Sequence, residues 1–330
     1  MNLTTRYLGL TLRNPLMPGA SPMVDDLDLV RRLEDAGASA IVMHSLFEEQ
    51  ITLEGRAFHQ HVEQFQDSFA EALDFLPERD DFVLTPDRYL DQLSRIKAAV
   101  DVPVIASLNG STPGGWTSYA RHLEAAGADA LELNYYCLPA DPAQTARAVE
   151  KDALDIFRAV RRSVHLPVAI KLSPFFSSLP NFARQAGDAG ASGLVLFNRF
   201  YQPDIDIEDL EVLPTLQFSD SSELRLRLRW LAILHASIET SFAVSGGVHT
   251  AADAIKAIMA GADAVQMVSA LLRHGPGRLG EVLAELTRWL DEHEYESLDQ
   301  LRGSMSLRNC PDPAAYERTN YLRVLQGWRV

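Results

Sequence analysis

Several polar side chains of this 330-residue chain stand at the ends of short apolar runs, where a reacting molecule could meet them: Ser21, His44 and Ser45, Ser107 and Asn109, Asn134, Lys171, Asn198, Ser245 and Ser269. Lys171 lies inside VAIKLSP, an apolar run in which a buried ammonium is costly unless an anion or polar ligand meets it. Glu132, in ALELNYY, is an inward candidate by strand alternation. A Lys171–Glu132 pair low in the core, without catalysis, is therefore the alternative. Cys137 follows the same run. A lone cysteine is more often a small core residue, but a thiol with a pKa near about 8.5 is a workable acid or base at neutral pH. Cys310, in RNCPDP, reads as structural. His59 and His61 alternate around Gln60 with no evident third zinc ligand. No Ser-His-Asp arrangement or Walker loop is present, and no metal is expected.

The segment from Ser245 to Leu271 reads as two anion-binding corners in succession. An apolar run ends in Ser245-Gly246-Gly247, where missing Cβ atoms let backbone N–H groups approach a ligand. Thr250 then caps a helix that stops at Gly261. A second run, Ala264 to Val268, ends in Ser269-Ala270 before another helix. Strand, small residues and helix, twice over, is how the last units of a (β/α)8 barrel hold a phosphate.

The elements that must position these groups repeat. The tetrad Ala-Gly-Ala-x before an apolar run occurs four times, at 36–45, 126–135, 189–198 and 260–269, each glycine ending a helical pattern. Between the copies lie PVIASLNG (103–110), PVAIKLSP (167–174) and FAVSGG (242–247), with NPLMPGAS (14–21) at the start. The count is eight strands, with the copies on the even-numbered ones, which predicts a (β/α)8 TIM barrel. A doubly wound sheet is the alternative, but it does not need eight such regular units. The chain is predicted to be one barrel domain, residues 1–330. A long insertion (47–84) follows the second strand, and a second long connection runs from Arg199 to Leu224. A packed C-terminal extension covers 295–330. Because barrel active sites lie at the strands' C-terminal ends, the insertion, with Phe58, Phe65, Phe69 and Phe75, would be a lid or a subunit contact, unless it is surface decoration.

Composition narrows the function. A net charge of −15 without a basic run argues against a nucleic-acid partner. Hydrophobic content of 47% supports a large core, and no apolar run approaches a membrane span. Two cysteines and no signal-like N-terminus suggest a reducing cytoplasm.

These residues resemble the dihydroorotate dehydrogenase family of flavin mononucleotide (FMN) barrels over nearly the whole chain. LNYYCLP (133–139) matches the first asparagine and the cysteine of that family's Leu-Asn-x-Ser-Cys-Pro-Asn signature. The resemblance implies that Cys137 is the catalytic base. VAIKLSP is similar to the family's strand-five motif, which implies Lys171 at the flavin N1/O2 edge, where it stabilises the negative charge that grows on reduction. Asn198 resembles the substrate-binding asparagine after strand six. NPLMPGASP, SGGV and VQMVSAL resemble the family's cofactor loops, although Val268-Ser269 replaces Gly-Thr and Pro22 a glycine. The implied FMN-binding set is Ala20, Ser21, Ser45, Ser107, Asn134, Lys171, Gly246, Gly247, Val268 and Ser269. The implied substrate-binding set is Asn134, Asn198 and His44. ESLDQLRG (296–303) resembles the family's closing helix.

The departures lie where substrate binds. Thr-Lys-Ser of the family is here Met43-His44-Ser45, so its substrate-bridging lysine is absent and His44 would replace it only when protonated. The family's substrate loop is not recognisable in 47–84, and Pro139 stands for the second asparagine of the signature. Loss of such contacts costs orotate recognition several kcal/mol, on the order of a charge-assisted bond and an amide pair. The implied reaction removes a proton and a hydride from a C–C bond beside a carbonyl, or the reverse. Open alternatives are a dihydropyrimidine or enone substrate, an accessory flavoprotein passing electrons, and a phosphosugar isomerase or aldolase barrel. The resemblance implies a homodimer, and the accessory-flavoprotein alternative implies a redox partner protein.

Overall fold

The structure, a computed structural model, describes residues 1–48, 50, 85–110, 116–199, 202–213 and 217–327. The chain opens with an antiparallel hairpin, β1 (Thr5–Tyr7) and β2 (Leu10–Leu12). It turns through Leu8 and Gly9, both at positive φ (54° and 76°), as a two-residue type I′ turn requires. The barrel strands are β3 (Leu16–Pro18), β4 (Ile41–Phe47), β5 (Val104–Gly110), β6 (Ala130–Tyr135), β7 (Val168–Leu172) and β8 (Gly193–Leu196). A surface hairpin, β9 (Asp204–Asp206) and β10 (Glu211–Leu213), interrupts them before β11 (Ser241–Ser245) and β12 (Ala264–Met267). The eight barrel strands are parallel, in the order β3-β12-β11-β8-β7-β6-β5-β4. The two end strands are tied by Ser39, whose backbone N–H and hydroxyl both donate to the Leu16 carbonyl at 3.0 and 2.8 Å. The predicted (β/α)8 architecture is formed, and the doubly wound alternative is excluded.

Alternation sets the two cores. Met17, Val42, Ile105, Ala130, Ala169, Val195, Ala243 and Ala264 face the barrel interior, and Tyr7, Leu8 and Leu12 of the first hairpin plug it from below. The opposite faces pack against the helices, among them α1 (Leu27–Asp35), α2 (Pro86–Ala99), α3 (Trp116–Ala125), α4 (Ala146–Ser163), α5 (Leu179–Asp188), α6 (Leu224–His235) and α7 (Ala251–Ala260). The repeated tetrads have a structural logic. Their four glycines, Gly37, Gly127, Gly190 and Gly261, all take positive φ where a helix stops. In two copies the next aspartate clamps the neighbouring strand: Asp129 accepts from the Val104 N–H and Asp263 from the Phe242 N–H, each at 2.7 Å.

One expectation falls outside the described residues and another is refined. Most of the 47–84 insertion, including Phe58, His59, His61, Phe65, Phe69 and Phe75, lies outside the described residues. Among its described residues the C-terminal extension is packed in its first half, where Leu298, Leu301, Ser306 and Cys310 are buried. After the break at Pro311 and Pro313, the helix Thr319–Gly327 leaves Tyr321, Leu322, Val324 and Leu325 more than half exposed.

Candidate active site

Directly above the apolar interior layer sits a buried polar floor. Glu132 on β6 is 1% exposed and Lys171 on β7 is 4% exposed. The Lys171 ammonium donates to Glu132 Oε1 at 3.0 Å, and the Gln266 amide on β12 donates to Glu132 Oε2 at 2.6 Å. Both carboxylate oxygens are thus engaged, as a buried charge demands. The Lys171–Glu132 pair therefore forms, low in the barrel. Register places Lys171 beside Asn134, one inward layer above Glu132, so the lysine belongs to both the floor and the mouth. Below the floor, burial and then the nearby Glu132 charge push the Tyr7 hydroxyl well above its usual range.

Around this floor the parallel register assembles Ser45, Ser107, Asn134 and Ser245. Ser45 and Ser107 share a hydrogen bond at 2.8 Å. They meet because β4 shifts register between Val42 and Ser45, which turns Ser45 to the side of Ser107. Tyr89 of α2 stabilises this bulge: its hydroxyl donates to the His44 carbonyl at 2.9 Å and accepts from the Ser107 N–H at 3.1 Å. Asn134 Oδ1 and Gln266 Oε1 are buried and have no hydrogen-bond partner among the described residues. Unpartnered buried acceptors beside a lysine and hydroxyls suit a flat heteroaromatic ring whose edge alternates donors and acceptors. Ala20 packs against the interior cluster, and Ser21 is buried just before a 3-10 turn, Pro22–Asp25.

The two predicted anion corners meet, through a residue that sequence patterns did not reveal. Ser219, 2% exposed, donates its backbone N–H to Ser269 Oγ at 3.1 Å, and its hydroxyl lies 3.0 Å from the same oxygen. The Gly247 N–H donates to Ser219 Oγ at 3.3 Å. The glycines are required here for packing. At positive φ, a Cβ on Gly247 would fall 2.5 Å from the Leu224 nitrogen, and one on Gly246 would fall 2.8 Å from Arg227 Nη2. Arg227 also holds the Ser245 carbonyl at 2.7 Å. Val268 and Ser269 open the short helix Ser269–His274.

His44, Cys137 and Asn198 lie apart from this floor. His44 Nδ1 lies 2.8 Å from Asp25 Oδ1, and its ring meets the Tyr89 ring edge-on. Burial lowers its pKa against the opposing pull of Asp25, which disfavours the protonated ring. Cys137 is half-buried beyond β6, within hydrogen-bond reach of the Tyr135 hydroxyl, which burial and the thiol together shift upward. Asn198 is half-buried, its backbone N–H anchored on the Leu172 carbonyl at 2.8 Å. Cys310 is buried in the tail. Among the described residues, no cluster of three or more His, Cys, Asp or Glu is placed to hold a metal, and no helix is long and apolar enough to cross a membrane.

The chain was then compared with known proteins. The sequence model of the dihydroorotate dehydrogenase family matches residues 2–290. A dihydroorotate dehydrogenase B (NAD(+)) catalytic subunit from Desulforudis audaxviator is 30% identical over 309 residues, covering 90% of this chain and 95% of its own. Proteins of the same name from Methanocaldococcus jannaschii and Thermoplasma acidophilum are each 26% identical, over 91% and 92% of this chain and 97% and 98% of theirs. The chain therefore belongs to the dihydroorotate dehydrogenase family, oxidoreductases acting on CH–CH groups.

Proposed function

We propose that the protein is an FMN-dependent oxidoreductase that oxidises the C–C bond beside a carbonyl in a dihydroorotate-like cyclic amide, or runs the reverse reaction. The observation that carries this reading is the buried polar floor, where Lys171, Ser45, Ser107 and the unpartnered Asn134 Oδ1 and Gln266 Oε1 offer the donors and acceptors a flavin's pyrimidine edge needs. Bound FMN would supply the two-electron acceptor. Lys171, Asn134, Ser45 and Ser107 would hold the ring, with Ala20 and Ser21 beside it. Gly246, Gly247, Val268 and Ser269, joined by the Ser219 hydroxyl, would hold the phosphate. Cys137 would take the acidic carbon proton, and Asn134 with Asn198 would orient the amide edge of the substrate. Tyr135, against the thiol, would help to place it.

A second reading concerns the substrate. By the sequence resemblance His44 takes the position of the bridging lysine, and burial beside Asp25 disfavours its protonated form. This favours an uncharged cyclic amide of the dihydropyrimidine type over dihydroorotate. The names of the relatives describe the catalytic subunit of an NAD(+)-linked enzyme, which supports a redox partner protein for this chain as well; a homodimer is the other assembly open to it.

The test is the visible spectrum of the purified protein before and after anaerobic addition of dihydroorotate and, separately, of dihydrouracil. Bleaching of a flavin band by dihydroorotate establishes the first reading. Bleaching by dihydrouracil alone establishes the second. A colourless protein that does not take up FMN refutes both.

A further inference from the structure

We propose that Glu132 is a positioning residue that fixes the Lys171 ammonium and cancels its charge, so that the barrel floor presents a neutral dipole, rather than a net cation, to the ring bound above it. This rests on the flavin reading given above. It arises from one geometry: a lysine and a glutamate, 4% and 1% exposed, joined at 3.0 Å beneath the site, with a third side chain, Gln266, holding the other carboxylate oxygen at 2.6 Å.

The burial of both partners leaves no solvent to screen them, so any imbalance of charge in the pair acts at full strength on a group lying over it. Glu132 lies one inward layer below the Asn134–Lys171 level. Its pull on the ammonium is directed down, away from the mouth. Two consequences follow. The lysine is kept at one position by Glu132, itself held by Gln266, instead of sampling the rotamers of a free four-carbon stem. Its field at the ring is also reduced by a compensating negative charge a few ångströms deeper. A cofactor whose reduction adds negative charge over the floor is therefore held at a lower potential than an unpaired lysine would give it.

Glu132→Gln separates placement from charge. The glutamine keeps an oxygen to accept from Lys171. Its new N–H group can be met by turning the Gln266 amide, because Gln266 Oε1 is buried and without a partner among the described residues. The experiment measures the midpoint potential of the FMN-loaded protein for wild type, E132Q, K171M and the double variant, alongside thermal unfolding of each. Charge balance predicts the order E132Q above wild type and wild type close to the double variant. K171M is lowest at high pH, where its unpaired Glu132 ionises, and meets the double variant as the pH falls and that carboxyl takes up a proton. E132Q should favour the reduced form at least tenfold over wild type, about 30 mV for a two-electron couple. A purely structural Glu132 would lower the unfolding temperature without ordering the potentials by charge. If E132Q does not fold, the double variant against K171M carries the same test at high pH, where removing the ionised carboxylate must raise the potential. Potentials that agree within twofold in the reduction equilibrium, with FMN bound throughout, overturn the inference and leave the proposed function standing. Failure of the wild-type protein to bind FMN overturns both.

Discussion

Single side chains here are decided by what they are already bonded to. Cys137 is half-buried and close to the Tyr135 hydroxyl, while Lys171 is tied to Glu132, so the thiol is the more accessible group for moving a proton. Replacing Cys137 with alanine should leave FMN bound but slow its reduction by substrate at least about a hundredfold, the usual weight of a general base. Stopped-flow absorbance measures this, and unchanged kinetics would remove the cysteine from the chemistry. His44 makes a different prediction. Its pKa is lowered from 6.5 by burial, so between the lowered value and 6.5 the unfolded chain binds more protons than the native one. Its contribution to stability is therefore full above pH 6.5 and is lost as pH falls through the folded value. Unfolding free energies of wild type and His44→Gln, compared from pH 5 to 8, should diverge in favour of wild type as pH rises; a pH-independent difference would mean the histidine is not held neutral.

At the scale of elements, the glycine corners show how one motif can have more than one physical reason for its residues. Gly246-Gly247 was recognisable as a corner, but the force that demands glycine is the packing of α6, whose Leu224 nitrogen would lie 2.5 Å from a Cβ at position 247. Gly247→Ala should destabilise the protein by roughly 2–4 kcal/mol even without cofactor, from strain at positive φ plus a backbone clash. Chemical denaturation of the apo protein tests this, and an unaltered midpoint would return the glycine to a ligand-only role. The β4 bulge makes a similar demand: Tyr89→Phe strands the His44 carbonyl and the Ser107 N–H in the core, at a cost of about 1–3 kcal/mol. The barrel strands were legible because the Ala-Gly-Ala-x repeats mark helix stop and strand start locally. Ser219 and the bulge were not, since each depends on contacts between distant segments: Ser219 reaches Gly247 and Ser269 across 28 and 50 positions. The first hairpin was hidden for a local reason. Its turn uses Leu8-Gly9, without the asparagine or aspartate that normally announces a type I′ turn, and burial of Leu8 offsets the unusual φ.

The whole molecule divides into parts that close the barrel and parts that stand away from it. Tyr7, Leu8 and Leu12 seal the bottom of the barrel beneath the charged floor, so the N-terminal hairpin shapes the site from the side opposite the mouth. The C-terminal extension is split by the same criterion. Leu301 is fully buried, the Gly303 N–H donates to the Ile258 carbonyl and the Leu307 N–H to that of Ala232, so residues 298–310 brace the outer ends of α6 and α7. Beyond Glu317, the exposed Tyr321, Leu322, Val324 and Leu325 leave the last helix little apolar burial with which to contribute. Removing residues 319–330 should therefore leave the unfolding transition of the isolated protein within about 0.5 kcal/mol of wild type. Leu301→Ala should lower it by about 2–5 kcal/mol, the range for emptying a packed leucine site. Equal losses from the two changes would mean that the last helix is bound to the barrel as tightly as the segment before it, and that its apolar face is covered in solution.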